Sequence, residues 1–223
     1  LLGKPLEENA QSSVLAGAAL RRPLAGRWSL GAGIDFEASS SMLRETQDGP
    51  TTDGSPAANA IRPAGKHYDY RVAGRTAGTY ATLDFAPTPR WSAGAALRLE
   101  RTRYAYDNRR IAGNTDENGV PCGAGGCLYH RPADRTDEFD NIAPKLALMF
   151  APRAQQRVYA NWSRGFRPPE QTELYRLQRQ QDNADLDSEE LQGAELGWRG
   201  DYQRYEWSLA AYDKLFANSD FPL

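Results

Sequence analysis

The chain has 223 residues, with 27 lysines and arginines against 29 aspartates and glutamates, a formal net charge of −2 and a pI near 5.8. That balance excludes a global basic field for nucleic acid, and 5 Trp, 11 Tyr and 7 Phe exclude a disordered chain. No window approaches the ~18 consecutive apolar residues of a membrane-spanning helix. The low mean hydropathy of −0.70 leaves a β-barrel open, because barrel strands are apolar only at every second position.

The first residues, LLGKPLEENAQSS, show neither a basic n-region nor a long apolar run, so they are not a signal peptide. The last residues, FANSDFPL, follow directly on a strand-like run. The expectation is a piece of a longer protein that lacks both ends.

Alternation then predicts strands in chain order. Val14 to Leu20 is followed by Trp28 to Ala38, where Trp28, Leu30, Ala32, Ile34, Phe36 and Ala38 form one face and Ser29, Gly31, Gly33, Asp35 and Glu37 the other. Tyr68 to Phe85 comes next, then Trp91 to Leu99 with Trp91, Ala93, Ala95, Leu97 and Leu99 aligned. Ile142 to Phe150, Arg157 to Arg164, Glu190 to Arg199 and Tyr205 to Phe216 complete eight candidates. Their apolar runs are roughly 9–11 residues, the length of a tilted strand crossing a bilayer.

The connections alternate in kind. Residues 22–27, 86–90, 151–156 and 200–204 are short and carry turn-forming Pro, Gly or Asp. Residues 40–67, 107–137 and 165–190 are long and polar. Short turns at one end and long loops at the other match up-and-down outer-membrane barrels, with the short turns periplasmic. Trp28, Phe85, Trp91, Phe150, Tyr159, Trp198 and Trp207 lie near short turns, as one aromatic girdle at a membrane interface requires. Tyr68, Tyr70, Tyr104, Tyr106, Phe139 and Phe166 lie near the long loops and would form a second girdle.

The predicted class is therefore all-β: an antiparallel up-and-down transmembrane β-barrel segment. A soluble, secreted β-sandwich binding module is the alternative at this point. Its strands are usually ~5–6 residues, shorter than these. The second face of each strand is small and polar, and it looks into a wet lumen in the first case and at solvent in the second.

One stretch is more specific. YANWSRGFRPPEQTELYRLQ, then ADLDSEELQGAELGWRGD, then a strand ending AYDKLF, resembles the C-terminal part of the β-barrel domain of TonB-dependent outer-membrane receptors of the siderophore-receptor type. Ser163, Gly165, Phe166, Arg167, Pro169, Glu173, Leu174, Tyr175, Leu186, Glu189, Glu195 and Gly197 carry the resemblance, which is specific over 157–216 and looser elsewhere. It implies that residues 1–223 are about eight strands of a larger, 22-stranded barrel, without its plug domain. It also implies a transporter in the outer membrane of a Gram-negative cell, not an enzyme. The implied function is TonB-energised uptake of a ferric siderophore or similar scarce ligand. The implied partners are the TonB complex, acting through a plug outside this chain, and outer-membrane lipid and lipopolysaccharide. A non-transporting barrel, such as an adhesin or a porin, is the competing membrane reading.

Physically, Gly165 lets the chain bend as a strand leaves the membrane, and Pro168 and Pro169 end its ladder. Val158, Ala160 and Trp162 should face lipid, with Tyr159, Asn161 and Ser163 facing the lumen. Gln171 to Arg179 is expected to make a short helical turn. Arg164 and Arg167 read as solvated or ion-paired charge.

The chemistry-bearing residues are few. Cys122 and Cys127, the only two cysteines, lie in a predicted extracellular loop and read as a disulfide closing a small Gly-rich loop. Two cysteines with one nearby His130 fall short of a zinc site, so no metal is expected. NTDENG (114–119) imitates the start of a calcium loop through Asn114, Asp116, Asn118 and Gly119. Gly125 stands where the bidentate Glu should be, so a polar turn is expected. His67 and His130 have no partner at catalytic spacing, and no cofactor is implied. The acidic run with Asp182, Asp185, Asp187, Glu189 and Glu190 reads as a solvated loop. Ligand contacts are expected from loop and upper-lumen aromatics and arginines suited to an anionic ferric complex: Arg103, Tyr104, Tyr106, Arg109, Arg110, Tyr129, Arg131, Arg167, Tyr175, Arg176 and Arg179.

Overall fold

The computed structural model describes residues 4–179, 181, 185–202 and 204–217. Eight long strands form one antiparallel sheet in sequence order: β1 (Leu6–Pro23), β2 (Trp28–Gln47), β3 (Gly65–Thr88), β4 (Trp91–Asn108), β6 (Arg135–Arg153), β7 (Gln156–Arg167), β9 (Glu189–Tyr202) and β10 (Tyr205–Ala217). Two short strands, β5 (Tyr129–His130) and β8 (Leu177–Gln178), pair with each other outside that sheet. The connections include two single-turn helices, α1 (Pro56–Ala60) and α2 (Gln171–Tyr175).

All eight predicted strands are present, and most are longer than expected. β3 has 24 residues and β2 has 20. The extra length lies on the long-loop side, where apolar alternation gives way to Ser, Arg, Tyr and Glu, so periodicity alone ends the strands too early.

The register sorts side chains onto two faces. Trp28 pairs with Phe85, Leu30 with Leu83, and Ile34 with Thr79 on one face. Leu97 pairs with Pro144 and Leu99 with Ile142 on the same face. Ile34, Ile142, Leu146 and Leu196 there are between 53% and 62% exposed. No second sheet among the described residues covers this face, as a sandwich would require. An exposed apolar surface of this extent marks a contact face rather than one turned to water.

The opposite face is polar. Arg98 holds Asp35 through two bonds of 2.7 Å and Glu100 at 2.6 Å. Arg21 donates to Asp84 at 2.9 Å, and Tyr159 donates to Glu195 at 2.6 Å. Gly197 is needed here. A Cβ on it would come within 2.2 Å of the Tyr159 ring, which lies across the neighbouring strand. This is the wet inner wall of a barrel arc whose two edges are β1 and β10.

At the short-turn end, Trp28 stacks on Phe85 with centroids 4.1 Å apart, and Trp91 on Phe150 at 4.4 Å. Trp198 meets Trp207 edge-on at 4.8 Å. These six make the expected girdle. Tyr159 leaves it, because its register with Gly197 turns the ring inward. The β1–β2 turn uses positive φ at Gly26 and at Arg27, the one non-glycine with positive φ among the described residues.

The second girdle differs more. Val72 pairs with Tyr106 and Gly74 with Tyr104, and their alternation is that of Tyr80 and Thr82. Tyr68, Tyr70, Tyr104, Tyr106 and Phe139 therefore point inward, and only Phe166 keeps the outward parity. With Leu43, Val72, Leu174, Tyr175 and Leu177 these inward rings form the core of the molecule, which sits under the long loops.

Candidate functional site

The long connections leave the sheet at one end, and two of them pack back onto its inner face. Pro168 and Pro169 end β7, and Glu170 starts α2 with a capping box: its backbone N–H donates to Glu173 at 2.6 Å. That turn drives Leu174 and Tyr175 inward until they are 1% and 0% exposed. Tyr175 stacks on Tyr106 at 4.3 Å and meets Tyr70 edge-on at 6.4 Å.

Polar bonds fix the same segment. Tyr175 donates to Asp137 at 2.7 Å, and Tyr68 to the Leu177 carbonyl at 2.5 Å. Arg176 donates to Glu45 at 2.5 Å and reaches Glu7 at 2.8 Å. Ser41 bonds Gln171. Burial works against ionisation of Glu45, but hydrogen bonds to His67 and Arg176 outweigh it and hold the carboxyl below its ordinary 4.5. His67 also reaches the Pro63 carbonyl at 2.8 Å and stacks on Tyr129 at 3.6 Å. Burial pushes the Tyr70 and Tyr129 phenols up to about 12.

The connection between β4 and β6 is tied in beside it. Tyr129 and His130 pair with Gln178 and Leu177. Arg131, 2% exposed, donates to the carbonyls of Ile111 at 2.7 Å, His67 at 3.1 Å and Thr115 at 2.7 Å. Burial first, and the charge of Arg110 second, lower its pKa. Cys122 and Cys127 form a disulfide in this loop. Asp116 accepts from the backbone N–H of Asn118 at 2.9 Å and of Val120 at 2.8 Å, which makes NTDENG a turn.

The residues expected to meet a ligand therefore divide. Tyr104, Tyr106, Tyr129, Tyr175 and Arg176 come together at the inner wall. Arg131 is a buried pin within the loop. Arg110 donates to the Glu117 carbonyl at 2.7 Å, Arg179 to the Gly125 carbonyl at 2.6 Å, and Arg109 lies 3.5 Å from Asp107. Arg167 pairs with Glu189, Glu170 and Glu173. Arg103 does not join them: it pairs with Arg75 and Glu138 in the outward-facing register. Of the acidic run, Glu189 and Glu190 pair with Arg167 and Arg164, Asp185 lies 3.5 Å from Arg135, and Asp182 lies outside the described residues.

Between α2 and the wall lies a cleft of about 490 Å³, lined in part by Glu7, Gln11, Ser41, Tyr70, Tyr104 and Gln171. Sequence reading missed Glu7, Glu45, His67 and Gln171 here. Glu45 and His67 are distant from Arg176 in sequence, and only strand register brings them to it. Parity along β2 and β3 was the one available signal. The lining is phenolic, amide and carboxylate. It can hydrogen-bond a polar ligand, and its two carboxylates, Glu7 and Glu170, are ion-paired with Arg176 and Arg167.

A sheet with an apolar belt outside, a polar wall inside and loops folded over one mouth defines an arc of an outer-membrane-type β-barrel. Residues 7–219 match the family described as TonB dependent receptor-like, beta-barrel, and the chain belongs to that family. Members of this family are outer-membrane β-barrels that act as transporters, not enzymes. No curated protein matches the chain in sequence.

Solved structures share the fold. The copper transporter OprC superimposes with a TM-score of 0.71 at 16% identity, over 95% of this chain and 31% of its own. The ferric-catecholate import receptor Fiu from K12 E. coli gives 0.63 at 14% identity, over 92% and 31%. The ferric citrate transporter FecA gives 0.58 at 15% identity, over 97% and 29%. The chain thus spans about a third of the length of each.

Proposed function

We propose that this chain is part of the wall and mouth of an outer-membrane receptor that imports a scarce ligand, a ferric siderophore or a similar metal complex. In the longer protein, β1 and β10 pair with further strands, because open edges are not tolerated in lipid. TonB energises the transport through a plug in another part of that protein. Outer-leaflet lipid and lipopolysaccharide surround the belt. The source is a Gram-negative cell, since that architecture needs an outer membrane.

The observation that carries this reading is the segment after β7, stacked by Tyr175 onto Tyr106 and bonded by Arg176 to Glu45, which narrows the mouth over a polar cleft. The copper and iron cargoes named for the similar structures support a metal complex as the class of ligand.

The test is uptake by cells expressing the full-length protein. Under iron starvation, radioactive iron offered as ferric catecholate and ferric citrate complexes should enter only with both the receptor and TonB present. Uptake that persists without TonB would support a passive pore. No difference on deleting the receptor would end the proposal.

A further inference from the structure

The connection between β4 and β6 holds the chain's only two cysteines, and the ring that they close is where three long loops meet. Cys122 and Cys127 enclose Gly123, Ala124, Gly125 and Gly126. On one side Arg179, which directly follows β8, donates to the Gly125 carbonyl at 2.6 Å. Its guanidinium fills the space beside that residue, so a Cβ on Gly125 would collide with it. On another side Leu128, the residue after the ring, donates its N–H to the Ile61 carbonyl of the β2–β3 loop at 2.8 Å. Tyr129 and His130 then pair with Gln178 and Leu177. The ring and the three residues after it thus tie the β4–β6 loop to both of its neighbours.

The ring has little besides its disulfide to keep its shape. Gly123 and Gly126 take φ values of 83° and 74°, and glycine has the widest backbone freedom of any residue. The Gly126 N–H donates to the Gly123 carbonyl at 3.1 Å, and the Cys127 N–H to the Asn114 carbonyl at 2.6 Å. Asn114 Nδ2 donates to the Gly125 carbonyl at 3.0 Å. Once the cross-link is cut, the entropy of a glycine-rich segment opposes these few bonds. The carbonyl that Arg179 needs is then no longer held in place.

The two sulfurs differ in reach. Cys127 is 0% exposed, whereas Cys122 is half-buried. A thiolate therefore attacks Sγ of Cys122, the S–S bond breaks, and Cys127 leaves as a thiolate that takes up a proton. The second sulfur of a dithiol resolves the mixed disulfide. In balance, the cystine gains two electrons and two protons, and the dithiol is oxidised to its own disulfide.

We propose that the Cys122–Cys127 ring is a redox-sensitive lock that joins the three long loops into one lid at the mouth, and that a dithiol releases them together. This goes beyond the receptor reading and does not depend on which ligand is imported.

The test uses the full-length protein folded in detergent micelles. Hydrogen exchange is followed peptide by peptide before and after treatment with dithiothreitol, a small dithiol, and alkylation with iodoacetamide counts the thiols released. Reduction should speed exchange at least about tenfold in three places at once, residues 58–62, 122–130 and 177–179, with β3 and β4 unchanged. Re-oxidation should restore all three. The double variant Cys122→Ser with Cys127→Ser should match the reduced protein and ignore the reagent. Arg179→Gln should speed 177–179 and leave 58–62 as in wild type, which separates the two ties. Wild type reduced after folding keeps the test decisive if the double variant fails to fold. Faster exchange confined to 122–127 would overturn the lid. A disulfide that survives the dithiol in the folded protein, or loops that stay open after re-oxidation, would overturn the redox control. Uptake plays no part in the readout, so a failure of the receptor reading cannot be mistaken for a failure of the lock.

Discussion

Tyr175 lies flat on Tyr106, with ring centroids 4.3 Å apart and planes 16° from parallel, and its hydroxyl donates to Asp137. One residue comes from a loop and the other from the inner wall of β4. This contact makes the segment after β7 part of the wall rather than a free extracellular loop.

Tyr175→Ala should release that segment and leave the barrel folded. Removing a fully buried aromatic ring costs about 3–5 kcal/mol, and here the cost falls on the loop's local opening. Hydrogen exchange across residues 171–178 of the full-length protein should accelerate by orders of magnitude, with β3 and β4 unchanged. Unaltered exchange in 171–178 would show that the stacking does not hold the loop.

The anchoring at Glu45 should depend on acid. Its carboxyl titrates below 4.5 in the folded protein. A carboxyl with a depressed folded pKa contributes stability above its unfolded value and loses it as pH falls through the folded value. The loop should thus hold constant above pH 4.5 and loosen progressively below it. Digestion with an acid-active protease on either side of that pH reads the loosening as cleavage in 171–178. Glu45→Gln should cleave more at neutral pH and show a flatter response. A wild-type response centred well above 4.5 would rule Glu45 out as the cause.

The two faces of the sheet should differ sharply in tolerance. Leu97 is outward and 44% exposed, about 10 Å above the lower girdle by rung count. Leu97→Arg should cost about 2–4 kcal/mol in a bilayer. Asn161→Arg, inward and opposite Glu195, should cost less than about 1 kcal/mol. Urea unfolding of the full-length protein in liposomes measures both. Reversed costs would mean that the faces are assigned the wrong way round.

Much of the architecture was legible in the chain itself. Alternation at Trp28 to Phe36 and Trp91 to Leu99 located the strands, and the contrast between short and long connections oriented them. Pro168 and Pro169 marked the end of a strand because proline cannot donate to the ladder. The candidate site was legible only in part. Arginines and tyrosines near loops look alike in sequence, yet Arg103 and Tyr104 are adjacent and face opposite sides of the wall. Counting parity from Leu97 would have separated them, whereas nearness to a loop could not.

What the sequence determined by itself is everything that depends on neighbours in the chain: strand positions, the two faces, the turns and the lower girdle. Tertiary structure alone decided which distant groups meet. Glu45 and Arg176 are 131 residues apart, and they are brought into contact by the register of β2 and β3 and by the inward fold of the segment after β7. The same register sets Arg75 against Arg103. The physical reason is that periodicity encodes the direction of a side chain. Its partner is set by the alignment of one strand against the next, which burial, turns and packing decide together.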